Sequence, residues 1–324
     1  MAIKKRFFVF FFWSITLINS AYSQKYNAID SIVLKYPNFG SVEKLAERIQ
    51  KDFASERDKA RAIYSWVTLN INYDAKKFFS PSDTKTFSSK DGSQIDKQME
   101  YYRDNQIKKT FRSKKGVCED FSNLYEQIGA LCGLKVKVIS GDAKVDLNDI
   151  GRKRLYSNHA WNMVEIDGKW TLVDVTWGEG YLDYKTKTAV KEFTPIYFDM
   201  DPKYFYAKHF PESENKDFKI DEKSYLNGAL IYDEMIEKKC EIFLPQSGII
   251  TANEGDKILF KIKNLSEFND LHCFNNDDEN LEMLNLKEQE NILEFEILCK
   301  KKMGQFITLY RSQNALASFK IIIK

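Results

Sequence analysis

Apolar residues recur at helical spacing in the first part of the chain and alternate in the last third, so the pattern predicts two kinds of architecture. Ser55-Glu56-Arg57-Asp58 reads as a capping box, and Ala60, Ile63, Tyr64 and Val67 then follow a 3.6-residue period. This predicts a helix over roughly 56–70, with another before it over 41–53. Cys118, Phe121, Leu124, Tyr125, Ile128, Leu131 and Cys132 share one face of a further helix, which Gly133 stops. Cys118 therefore stands in its first turn, on the inward face.

Val136, Val138 and Ile139 suggest a strand ended by Gly141-Asp142. Residues 158–177, NHAWNMVEIDGKWTLVDVTW, read as a hairpin whose two β-rich runs flank Asp167-Gly168, a preferred dipeptide of the type I′ turn. From about residue 225 short alternating runs such as DKILFKIK, ILEFEILC and QFITLYRS are separated by Gly, Asn and Asp clusters. They predict an antiparallel, Ig-like sandwich. The fold class expected is α+β followed by a small β-sandwich. Residues 79–94 are polar and turn-rich without an apolar period, which marks a surface loop.

Composition refines this picture at the N-terminus. Lys4, Lys5 and Arg6 precede the apolar run Phe7–Ile18 and the small-residue stretch 19–24, the layout of a signal peptide over residues 1–23. The expectation is an exported protein, secreted or periplasmic, with no stable membrane span once the signal is removed. The chain has 324 residues, which suits two domains, here 24–215 and 216–324. Without the three basic residues of the signal, 46 basic residues face 47 acidic ones, a net charge of −1. Nucleic-acid binding has no electrostatic support in that balance.

Five cysteines, at 118, 132, 240, 273 and 299, cannot all pair within one chain. Cys118 and Cys132 on one helix stand ~21 Å apart at about 1.5 Å per residue, beyond disulfide reach. Among Cys240, Cys273 and Cys299 one pair could be bridged.

A two-residue turn at 167–168 pairs residues whose numbers sum to 335. Glu165 then faces Trp170, Trp161 faces Asp174 and His159 faces Thr176, so His159, Trp161, Asp174 and Thr176 share one face. An imidazole and a carboxylate in that relation can hydrogen-bond. A thiol at a helix start becomes a nucleophile on deprotonation, which the helix dipole and an adjacent imidazolium promote, with some positive field from the exposed Lys114 and Lys115. Cys118, His159 and Asp174 would then suit acyl transfer from an amide or ester. Each residue alone also fits a packed core, and spacing leaves both readings open. The oxyanion donor could be the Cys118 backbone N–H or an upstream aromatic such as Trp66 or Tyr73, and Trp66, Tyr73 and Trp161 are the candidates for substrate-binding or oxyanion residues.

Residues 195–212, PIYFDMDPKYFYAKHFPE, gather aromatics around His209 and read as a packed strap, or else as a cleft wall with a rival base. His272 beside Cys273 reads as an exposed turn. No zinc spacing is present, and no cofactor or metal is expected.

GVCEDFSNLYEQIGALCGL, NHAWNMVEIDGKWTLVDVTW and PIYFDMDPKYFYAKHFP together resemble the transglutaminase-like superfamily, which has a papain-like fold, and most closely its kyphoscoliosis-peptidase type. The resemblance covers residues 40–212 and matches the order Cys, His, Asp at Cys118, His159 and Asp174. It implies a nucleophile helix packed on an antiparallel sheet, and a cysteine peptidase or transglutaminase-type acyltransferase acting on protein or peptide amides. The alternative it leaves is a non-catalytic interaction protein at the cell surface or in the periplasm.

Overall fold

The structure, a computed structural model, describes residues 27–80, 94–212, 221–265 and 270–324. The expected signal peptide over 1–23 and most of the expected loop at 79–94 lie outside them. Two compact units interleave along the chain: residues up to 136 with 174–198, and residues 137–173 with 199–324.

The first unit is built on helices. Helix Glu56–Asn70 begins where Ser55 Oγ accepts the Asp58 N–H at 3.0 Å, as its sequence predicts. Ala60, Ile63, Tyr64, Trp66 and Val67 are buried, and the helix packs against helix Cys118–Leu131, whose Phe121, Leu124 and Ile128 are buried as well. Tyr125 crosses between the two helices and donates its hydroxyl to Ala60 O. Beneath them, the buried Asp30 of helix Ala28–Val33 receives both Arg61 Nε (2.9 Å) and Nη2 (2.7 Å), and Ser65 Oγ also donates to it. Helix Ile95–Ser113 has no counterpart in the sequence reading. Only Ile107, Thr110 and Phe111 of it are buried, too few to leave an apolar stripe in the pattern.

The second unit opens with a four-stranded sheet in the order Lys169–Val173, His159–Ile166, Val136–Ala143, His209–Pro211. The hairpin has the expected register, from Asn162↔Val173 to Ile166↔Lys169, and both turn residues have positive φ, Asp167 at 51° and Gly168 at 75°. The ladder does not continue to Asp174 and Thr176 as expected. Asp174 instead caps helix Val175–Glu179, accepting the N–H groups of Thr176 (2.9 Å) and Trp177 (3.0 Å), a local bond that competes with further pairing. Strand Val136–Ala143 also runs through the expected Gly141-Asp142 stop to end one residue beyond it.

The last third forms two sheets. One orders Glu241–Leu244, Lys257–Lys263, Ile292–Leu298 and Met283–Gln289, and the other Ile249–Ala252, Asn314–Ile323, Phe306–Arg311 and Leu271–Asn275. Alternation buries Ile258, Phe260 and Ile262 opposite Leu293, Phe295 and Ile297. The Phe260 and Phe295 rings stack at 5.1 Å, and Phe319 of the other sheet meets Phe260 edge-on at 5.3 Å, which joins the layers. The outward positions carry ion pairs such as Lys261–Glu294 and Lys257–Glu296. One pairing departs from the antiparallel expectation: Ile249–Ala252 runs parallel to Asn314–Ile323. His272 is not in an exposed turn but in strand Leu271–Asn275, paired with Tyr310. All five cysteines are free thiols, so the bridge allowed among Cys240, Cys273 and Cys299 is not formed. No helix of the described residues is long and apolar enough to cross a membrane.

Candidate active site

Cys118 is the first residue of its helix, and Val117 before it offers no side-chain cap. A helix start leaves its first N–H groups without intrahelical partners. The Val117 N–H goes to Asp120 Oδ2 at 2.9 Å, and the Cys118 N–H is received by the Tyr73 hydroxyl. Tyr73 reaches that position from a two-residue strand, Asn72–Tyr73, parallel to Lys115–Gly116, which pairs Tyr73 with Gly116. Its ring lies 6.2 Å from that of Phe121, one turn along the cysteine helix. Gly116 allows this entry: a Cβ there would stand 2.6 Å from Asp120 Cβ and 3.2 Å from Thr110. Burial pushes the Tyr73 phenol well up, and Cys118, Tyr184 and Asp174 add to the rise. The phenol therefore keeps its proton across the physiological range and can donate it in a hydrogen bond.

The sequence reading treated Lys114 as an exposed source of positive field, and the structure corrects it. Lys114 closes helix Ile95–Ser113 in the left-handed conformation, φ 56°, with its ammonium over the rings of Trp66 (4.3 Å) and Phe111 (4.0 Å). Burial holds it below its ordinary value. Trp66 is itself buried, stacked on Phe111 at 5.2 Å, a position suited to core packing rather than to an open cleft. Around the cysteine helix Asp120 also receives Lys77 Nζ at 2.6 Å.

Asp174 belongs to the same unit as Cys118 and is fully buried. One carboxylate oxygen caps the following helix, as described above, and its N–H donates to Tyr197 O at 2.9 Å. At the other end of that helix stands Glu179, 2% exposed. Its carboxylate accepts the Tyr73 backbone N–H, and burial pushes its pKa up to about 7 against the opposing pull of Lys191 and that N–H. No sequence signal singled out Glu179; its partner Lys191 arrives through the hairpin Gly180–Asp183 with Thr188–Lys191, which the sequence reading did not separate.

His159 belongs to the second unit and begins strand His159–Ile166. Its ring lies 6.1 Å from Trp161, in a stacked orientation, and 5.5 Å from His209. The strap reading holds for His209, since it is buried, stacked on Phe205 at 4.0 Å, and its Nδ1 donates to Phe205 O at 3.0 Å. The sequence reading nevertheless missed its closeness to His159. Both imidazoles offer a ring nitrogen within 4.8 Å of the other, close enough to share a metal ion. Trp161 is 1% exposed and packs on Phe205 and His209, so it supports the imidazoles. A groove of about 870 Å³ in the second unit is lined by Tyr204, Tyr206, Tyr225, Met235, Ile242 and Phe243 among others, and none of the candidate residues lines it.

Residues 88–175 match the family model of the transglutaminase-like superfamily. Human kyphoscoliosis peptidase is 24% identical over 193 residues, which are 59% of this chain and 26% of that protein. The mouse kyphoscoliosis peptidase is 26% identical over 175 residues, 54% of this chain and 24% of the relative. The chain thus spans about a quarter of the length of the curated relatives it matches. Among solved structures, a TGase is 21% identical over 51% of this chain and 37% of its own, with a TM-score of 0.28. The Lin-41 filamin domain is 12% identical over 26% of this chain and 91% of its own, with a TM-score of 0.20. The family model and the curated relatives support a transglutaminase-like assignment for the part of the chain they match.

Proposed function

We propose that this is an exported cysteine-dependent acyl-transfer enzyme acting on protein or peptide amides, with Cys118 as nucleophile, His159 as general base and then acid, and Asp174 as the carboxylate that orients the imidazole. The observation that carries the reading is the pairing of the Cys118 N–H with the Tyr73 hydroxyl at an uncapped helix start. Two donors at a nucleophile are what an acyl oxygen needs when it becomes an oxyanion. The transglutaminase-like match and relatives named as peptidases support the same chemistry.

In this reading His159 takes the thiol proton and the sulfur attacks the amide carbon. The carbonyl oxygen, now anionic, displaces the Tyr73 hydroxyl from the Cys118 N–H and is held by both donors. Collapse breaks the C–N bond, and His159 returns its proton to the departing amine. The thioester then passes to water or to a second amine. A carboxylate beside the imidazole stabilises the imidazolium through both half-reactions.

The test is turnover of a quenched peptide library, together with amine incorporation, by the mature protein and by Cys118→Ala. Alanine should abolish both reactions with an unchanged melting temperature. Turnover that survives the substitution would refute the assignment, and the absence of turnover in the wild type would point to a binding role.

A further inference from the structure

The segment that presents Tyr73 is gripped on both edges. On one edge the Asn72 N–H donates to Lys114 O at 2.9 Å and the Asp74 N–H to Gly116 O at 2.8 Å. Successive N–H groups of a strand point to opposite sides, so the Tyr73 N–H faces the other edge. Glu179 takes it there. Lys191 completes the grip, with its Nζ donating to Ile71 O at 2.7 Å and to Asn72 Oδ1 at 3.1 Å, and standing 3.9 Å from Glu179 Oε1. Three consecutive residues, 71 to 73, are thus tied to one carboxylate and one ammonium.

Stability alone does not account for such a pair. Removing two charges from water offsets their attraction, and apolar residues of similar volume would hold the layers at least as well. Apolar residues could not accept the Tyr73 N–H or donate to Ile71 O, and those two bonds set how far the strand extends toward Cys118. We propose that Glu179 and Lys191 are positioning residues that fix the reach of the Tyr73 hydroxyl to the acyl oxygen at Cys118. This rests on the acyl-transfer reading above.

Two reactions of the same sulfur separate positioning from general damage. With p-nitrophenyl acetate the sulfur bonds to the acyl carbon, the aryl ester bond breaks, p-nitrophenolate leaves and the thiol proton passes to the base; an oxyanion forms on the way. With iodoacetamide the sulfur displaces iodide from a saturated carbon, and no oxyanion forms. Both rates at Cys118 are to be measured on the full mature chain, with melting temperatures, for wild type, E179A, E179Q, K191M, Y73F and E179A/Y73F.

Losing one oxyanion donor slows catalysis ~10²- to 10³-fold, so Y73F should lose about 100-fold in acylation and E179A, which displaces the donor, about 10- to 100-fold. The double variant should be no slower than Y73F, because both changes act through one hydroxyl. E179Q keeps an acceptor for the Tyr73 N–H and should retain most of the rate. Alkylation should be unchanged throughout. Wild-type acylation in folded E179A, losses that multiply in the double variant, or acylation and alkylation falling together would each overturn the proposal. Should E179A not fold, K191M, which removes the bonds to Ile71 O and Asn72 Oδ1, takes its place: it should lose about 10-fold in acylation with alkylation unchanged, K191M/Y73F should be no slower than Y73F, and wild-type acylation in K191M would overturn the proposal. A wild type that alkylates at Cys118 but never acylates there would overturn the acyl-transfer reading and the proposal with it, whereas normal acylation in E179A overturns the proposal alone.

Discussion

Replacing Glu179 by glutamine should change how stability depends on pH. The carboxyl ordinarily titrates at 4.5 and burial raises it to about 7, so the folded chain keeps a proton that the unfolded chain has already released. Between those values the folded state binds more protons than the unfolded one, and stability falls as pH rises. At 1.36 kcal/mol per unit, the displacement amounts to about 3 kcal/mol, present at pH ~4 and lost by pH ~8. Lys191 faces Glu179 and is itself held below its ordinary value, chiefly by burial, so its own titration enters at the alkaline end. Glutamine has the same shape and no ionisation. Urea unfolding followed by tryptophan fluorescence at several pH values from about 4 to 8 should show wild type losing about 3 kcal/mol relative to E179Q across that range. Parallel stability curves for the two proteins would refute the argument that Glu179 is desolvated.

The remaining expectations concern the core and the thiols. Asp30→Ala leaves the Arg61 guanidinium buried without its bidentate partner, and breaking such a pair should cost about 3–5 kcal/mol in urea unfolding; a loss below ~1 kcal/mol would mean that solvent reaches Arg61. Burial pushes the Cys132 and Cys240 thiols up to about 11 and Cys273 to about 12, and it also raises Cys299, whereas Cys118 is only half-buried. Brief iodoacetamide treatment of native protein near neutral pH should therefore modify Cys118 selectively, and peptide mapping that finds equal labelling of the other four would contradict this packing.

The sequence made some elements readable because one local signal sufficed. A Ser cap and a 3.6-residue stripe located helix Glu56–Asn70, and Asp167-Gly168 alone set the register of the hairpin. Other features depend on contacts distant in sequence. Helix Ile95–Ser113 buries too little of itself to leave a stripe, and the parallel pairing of Ile249–Ala252 is decided by how the chain crosses between layers. Strand alternation placed Asp174 in the hairpin ladder, and the structure makes it a helix cap instead, because its bonds to the Thr176 and Trp177 N–H groups are made within three residues. The candidate site divides in the same way. Cys118 stood out through its place on a helix face, while Tyr73 acquires its position only when Asn72–Tyr73 pairs with Lys115–Gly116, 43 positions along the chain. Glu179 and Lys191 acquire theirs only after the hairpin between them has formed.

The most direct test of the account is to trap its covalent intermediate. The protein, acylated with p-nitrophenyl acetate and quenched in acid, would be mapped by mass spectrometry with and without hydroxylamine. The account predicts one acetyl group on Cys118 that hydroxylamine removes, and none in C118A. Acetylation confined to lysines, or an equal yield from C118A, would contradict it.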